Sequence, residues 1–128
     1  MMDESGRKLV AVIEDDDIAR TALGRLLDAA GFEHALFESA ETFLASKRDR
    51  GWTCLVVDVQ LSGMSGIDLQ RKLRSEGSDA PVIIITAKET DAIRERAEQA
   101  GCAAFLTKPF HGDAILALLG SLASRSRP

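Results

Sequence analysis

Cysteine and histidine are both scarce in this chain of 128 residues, with two of each. Cys54 and Cys102 are far apart and lack the CxxC spacing of redox or zinc sites, so both are expected to be reduced, packed thiols. His34 and His111 have no ligand-type neighbours and read as exposed or incidental. A basic surplus is also missing. The formal net charge of -4 supplies no electrostatic footprint for nucleic acid, and Arg125 and Arg127 read as a solvated tail. No apolar run approaches the ~20 residues that a membrane span needs. Met1-Met2-Asp3-Glu4 is acidic and polar, unlike a signal peptide, so no membrane association and a cytoplasmic location are expected. No GxxxxGK[ST] motif occurs, which removes a P-loop. Internal repeats, linkers and low-complexity segments are absent before the tail Ser124 to Pro128.

What the chain does have is a hydrophobic content of 45%, enough for one ordinary globular domain without staples. The expectation is a single domain over 1-128, with its core at about 8-123 and short polar tails. Strand-like runs fall at Leu9 to Ile13, around Ala35 to Phe37, at Leu55 to Asp58, Val82 to Thr86, and Ala104 to Leu106. They read as continuous apolar runs, which parallel strands covered by helices on both faces require. Helix-like segments separate them. Ile18, Ala22, Leu26 and Ala30, with Leu23 and Leu27 beside them, recur at helical spacing up to Gly31, and Asp16 or Asp17 is placed to cap the start. Ser39 is the expected N-cap of a second, short helix, Gly66 opens a third that Gly77 closes, and Thr90-Asp91 begins a fourth that Gly101 ends. Asp113 to Leu122 forms the last, with Ile115, Leu118, Leu119 and Leu122 inward and Leu116 and Phe110 off the main face.

Five βα units with right-handed crossovers make a doubly wound α/β sheet, whose ligands sit at the carboxyl ends of the strands. Those ends carry Glu14-Asp15-Asp16-Asp17, Asp58, Thr86 and Lys108-Pro109. Carboxylates converging there repel one another by about 1 kcal/mol per pair at 4 Å in water, and by about 4 at an effective dielectric of 20. A counter-ion is needed. Oxygen ligands with water suit Mg²⁺, which takes one or two carboxylates plus a phosphate, while Lys108 and Thr86 offer a point charge and a hydroxyl to phosphoryl oxygens. An aspartate can itself be the nucleophile, and Asp58, closing the middle strand, is the candidate. Asp16 and Asp17 read as helix-start acids that complement the helix dipole.

These residues identify a resemblance. Glu14-Asp15, Asp58, the loop Ser62-Gly63-Met64-Ser65-Gly66, Thr86-Ala87 and Lys108-Pro109-Phe110 resemble, in order and placement, the receiver domain of two-component response regulators, from Leu9 to Leu122. The resemblance implies a flavodoxin-like (βα)5 fold with a five-stranded parallel sheet in the order 2-1-3-4-5. It implies that Asp58 accepts a phosphoryl group from a histidine kinase or phosphotransferase. Asp15 and Asp58 would ligate Mg²⁺ directly, Glu14 through water, and Gln60 through its backbone carbonyl. Thr86, Ala87 and Lys108 would bind the phosphoryl group, Lys108-Pro109 would be a cis peptide, and Thr86 with Phe105 would form a switch between two arrangements. The chain would not be an enzyme beyond promoting its own phosphorylation from small donors and its own dephosphorylation.

Departures from the family pattern carry expectations of their own. Glu14 stands for the more usual aspartate and should bind metal with a longer arm. Ser62 stands where relatives often have proline, which would loosen the loop. Phe105 lacks the hydroxyl of the tyrosine in some relatives, so its two positions are expected to differ in apolar burial alone. Gln60 and Lys88 should flank the path of hydrolytic water and tune the lifetime of the acyl phosphate.

Two other classes share parts of this pattern. A Mg²⁺-dependent phosphatase with an aspartyl nucleophile needs a second acid two residues on, where Gln60 stands, and a cap domain. A flavodoxin-type module needs a Ser/Thr/Gly-rich loop after the first strand, where four acids would repel FMN phosphate. For output, the expectation leans to a self-sufficient receiver acting through protein contact. The alternative is the amino-terminal part of a DNA-binding transcriptional regulator whose linker begins near Ser124. The fourth and fifth βα region is the expected surface for an output protein or a phosphorylation-dependent homodimer. The kinase and its stimulus are not legible.

Overall fold

The structure, a computed structural model, describes residues 8–46 and 51–125, and the side chains of 8–46 and 51–122. The leader Met1 to Glu4 and the tail from Ser124, with Arg125 and Arg127, lie outside the described side chains. Strands β1 (Leu9–Ile13), β2 (Glu33–Phe37), β3 (Cys54–Asp58), β4 (Val82–Thr86) and β5 (Ala104–Thr107) alternate with helices α1 (Asp17–Ala29), α2 (Ala40–Ala45), α3 (Gly66–Ser75), α4 (Asp91–Gln99) and α5 (Gly112–Arg125). All strand pairs are parallel, and the order is β2-β1-β3-β4-β5.

Every residue of β1, β3 and β4 is buried. Because strand side chains alternate between faces, each run feeds two cores at once. Ala11, Ile13, Leu55, Val57, Val82 and Ile84 join Ile67, Leu69 and Ala97 on one face. Val10, Val12, Cys54, Val56, Ile83 and Ile85 join Leu23, Leu27, Ile115 and Leu119 on the other. Each fully buried aliphatic side chain contributes about 1.5–3 kcal/mol of transfer free energy. The strand ends are thereby held in fixed register, and every strand delivers its last residue to one edge.

Local chemistry starts the helices where the sequence places them. Asp16 caps α1 by accepting the Ala19 N–H at 2.8 Å, and Ser39, Ser65 and Thr90 cap α2, α3 and α4 in the same way. Gly31, Gly77 and Gly101 follow the ends of α1, α3 and α4 with positive φ.

The expected stripe of α1 is rotated, with Leu23 and Leu27 buried and Leu26 partly so, but its other members outside the core. Its buried residues are Leu23, Gly24 and Leu27, whereas Ala22 and Ala30 are exposed and Ile18 is 82% exposed. Gly24 explains the rotation, since its bare backbone lets Leu36 of β2 approach to 3.0 Å of where a Cβ would stand. β2 begins two residues earlier than expected, and as an edge strand it exposes Glu33 and Leu36. Leu116 and Phe110 pack partly buried against the second core.

Candidate functional site

Glu14 follows β1, Asp58 ends β3, Thr86 ends β4 and Lys108 follows β5. The carboxyl edge of the sheet brings them together. Lys108 Nζ donates to Asp58 Oδ2 at 2.8 Å and to Glu14 Oε1 at 2.5 Å, joining residues 50 and 94 positions apart. The Glu14 and Asp58 side chains are 1% and 6% exposed, and that of Lys108 is 24% exposed. Two buried carboxylates thus share one ammonium, which leaves a surplus negative charge in a poorly solvated place. Burial pushes the Glu14 carboxyl above its ordinary 4.5 against the Lys108 hydrogen bond, and the charge on Asp58 adds to the rise. Burial disfavours the charge on Lys108, but its hydrogen bonds to Asp58 and Glu14 outweigh that and hold the amine above its ordinary 10.5.

The remaining acceptors are occupied locally. Asp58 Oδ1 accepts the Gln60 N–H at 2.9 Å, and Glu14 Oε2 accepts the Asp16 N–H at 3.2 Å. Arg20 of α1 donates to the carbonyl of Glu14 at 3.0 Å and pairs with Asp17, which fixes the backbone of the acidic loop. Asp15 is exposed, and its Oδ2 accepts both the N–H and the hydroxyl of Ser62, at 3.3 and 3.2 Å. Two residues on, Glu41 of α2 accepts the Met64 N–H at 2.9 Å. The loop after Asp58 is therefore tied down by carboxylates from two other elements.

The chemistry of these donors fits a hard divalent cation: all are oxygens, and the buried pair carries more negative charge than Lys108 neutralises. The side chains as they stand are not assembled for it. Among the described residues no three Asp, Glu, His or Cys side chains form a group that would hold a metal ion, and Asp15 is engaged with Ser62.

Thr86 is fully buried, and its hydroxyl is folded back on Lys88, accepting its N–H at 3.1 Å and donating to its carbonyl at 3.3 Å. Ala87 and Lys88 are exposed beside it. Lys108-Pro109 is cis. Phe105 is half-buried, and its setting corrects the expectation that apolar burial alone governs it. The Arg94 guanidinium carbon lies 4.6 Å from the centre of its ring. Glu89 holds Arg94 by an ion pair and accepts the Thr107 hydroxyl at 2.7 Å, clasping the β4–α4 loop, α4 and β5 together. Glu41, Glu89 and Arg94 escaped sequence reasoning, since nothing in their local patterns marks these contacts, and Arg20 was passed over although Asp17 stands three residues before it. Ser62, expected to loosen the loop, instead ties it to Asp15.

An apolar groove of about 630 Å³ opens beside the site, between α1 and the β5–α5 loop, with Leu23, Leu26, Pro109 and Phe110 on its walls and Glu14 and Lys108 at its edge. No helix among the described residues is long and apolar enough to cross a membrane.

Comparison with known proteins places these features in a family. The model of the response regulator receiver domain matches residues 10–120. The transcriptional regulatory protein FixJ of Bradyrhizobium diazoefficiens is 34% identical over 119 residues, covering 93% of this chain and 58% of its own length. The crystal structure of FixJ-N superposes with a TM-score of 0.82 at 31% identity, covering 94% of this chain and 96% of that one. The response regulator StyR gives a TM-score of 0.84 at 38% identity, over 93% of this chain and 60% of that one. The chain spans little more than half the length of the first curated relatives it matches.

Proposed function

From the premise that the chain belongs to the response regulator receiver domain family, we propose that Asp58 is its phosphoacceptor, and that a histidine kinase or phosphotransferase supplies the phosphoryl group. The observation that carries this reading is the Lys108 ammonium 2.8 Å from Asp58 Oδ2, at the buried end of the middle strand. An Asp58 oxygen attacks phosphorus, the bond from phosphorus to the donor nitrogen breaks, and the imidazole leaves with that electron pair. Lys108 neutralises charge gathering on the phosphoryl oxygens, and the Ala87 N–H and Thr86 hydroxyl bind the others. To bind, the Thr86 hydroxyl leaves Lys88, and Phe105 moves into the vacated space.

Asp15 and Asp58 would hold Mg²⁺ directly in this reading, Glu14 would act through water, and Gln60 would offer its carbonyl. The bound cation supplies charge neutralisation between acceptor and donor. The groove between α1 and the β5–α5 loop suits the donor protein, because it is lined largely by apolar side chains and reaches Lys108. One expected division, a single receiver domain over 1-128, is kept as part of the proposal, as is a cytoplasmic location. The relatives described as transcriptional regulators support output through DNA binding by a further domain of a longer protein, over the stand-alone expectation. The fourth and fifth βα region remains the proposed surface for output or homodimer contact, and no direct nucleic-acid binding by these residues is proposed.

Incubation with Mg²⁺ and acetyl phosphate tests the reading. A stoichiometric, hydroxylamine-labile adduct is expected. Sustained turnover of small phosphate esters would instead mark a phosphatase.

A further inference from the structure

We infer that Ser62 sets the affinity of the site for a divalent cation by competing for Asp15. The inference rests on the reading of Asp15 as a cation ligand. Both donors of Ser62, the backbone N–H at 3.3 Å and the hydroxyl at 3.2 Å, converge on one oxygen, Oδ2 of Asp15, across 47 residues of sequence. That oxygen has two lone pairs, and two donors engage both. A cation approaching Oδ2 must displace at least one of them. A cation approaching Oδ1 meets a carboxylate whose charge is already shared with two donors. Either route weakens binding, and of the three acids Asp15 alone carries two of this loop's donors on one oxygen, whereas Asp58 accepts the Gln60 N–H and, like Glu14, faces Lys108.

The rest of the loop does not depend on the Ser62 contact. Glu41 holds the Met64 N–H at 2.9 Å, and Gly66 N–H donates to the Val59 carbonyl at 3.1 Å. Cation loading therefore releases one tether of the loop after Asp58 and leaves the others in place. Ser62 acts as a positioning residue: it touches neither the phosphoryl group nor the cation and works through Asp15.

Three substitutions separate the donors. Ser62→Ala removes the hydroxyl and keeps the N–H, Ser62→Pro removes both, and Ser62→Thr keeps both. Mg²⁺ binding, measured by calorimetry on the unphosphorylated protein, is expected to tighten about threefold in Ser62→Ala and about tenfold in Ser62→Pro, the range that one or two modest hydrogen bonds allow. Ser62→Thr should bind within about twofold of wild type. In a Mg²⁺ titration followed by NMR, the Ser62 amide resonance should shift as its hydrogen bond is released while that of Met64 stays. The amide titration and Ser62→Ala keep the test decisive even if proline disturbs the loop. Unchanged Mg²⁺ affinity in Ser62→Ala, or a Ser62 amide indifferent to Mg²⁺, would overturn this inference and leave the site reading standing. A wild-type protein that binds no Mg²⁺ would overturn both.

Discussion

Gly66 shows how little room surrounds the proposed acceptor. A Cβ at this position would stand 2.2 Å from the carbonyl oxygen of Asp58 and 2.8 Å from Cγ1 of Val57. A backbone oxygen on a buried central strand cannot retreat, so the start of α3 must move instead. Gly66→Ala is expected to cost about 1–3 kcal/mol in urea unfolding, as overpacking does, and to slow labelling of Asp58 by acetyl phosphate. An unchanged unfolding midpoint would show that α3 slides freely over β3. Cys54 gives a second test at this scale. Burial pushes its thiol up to about 12, whereas Cys102 is only partly buried and its thiol is raised less severely by the same cause. The thiolate is the reactive form, so iodoacetamide at mildly alkaline pH should alkylate Cys102 well before Cys54. Peptide mapping showing equal labelling would mean that β3 opens readily.

Among the elements, α4 carries a constraint on the proposed switch that its sequence conceals. Arg94 lies over the Phe105 ring and is steadied by Glu89, which also holds Thr107. A cation–π contact at an exposed site contributes about 0.5–1 kcal/mol, so it biases the ring toward its present position by a few-fold. Arg94→Ala is therefore expected to raise affinity for beryllofluoride, an aspartyl-phosphate mimic, by about two- to fivefold. Weaker beryllofluoride binding in Arg94→Ala would mean that the contact supports the switched arrangement instead. The strands were legible because burial on both faces demands unbroken apolar runs, and their last residues then identify one edge. Helix α1 was legible only in part, through Leu23 and Leu27. Ile18 and Ala22 are apolar yet face outward, and the residue that sets the true face, Gly24, has no side chain to register in a periodicity. The start of β2 was hidden for a related reason, since an edge strand tolerates the polar Glu33 and His34.

For the molecule as a whole, the strand order followed from family resemblance, because identical apolar runs do not say which neighbours which. Once the order β2-β1-β3-β4-β5 is set, Asp58 lies centrally, with Glu14 and Lys108 reaching it from β1 and β5. The candidate residues Glu14, Asp58, Thr86 and Lys108 were readable as strand-end chemistry. Their restraints were not, since Ser62 on Asp15 and Glu41 on Met64 are contacts that only the folded topology creates.

The central claim is that this arrangement makes one carboxylate, that of Asp58, receive the phosphoryl group. Borohydride reduction of protein treated with Mg²⁺ and acetyl phosphate, followed by peptide sequencing in a mass spectrometer, locates an acyl phosphate by converting its aspartate to homoserine. The account predicts homoserine at position 58, dependent on Mg²⁺ and lost in Asp58→Asn. Conversion at Asp15 or another acid in the wild type, or none at any position while Mg²⁺ is bound, would contradict it.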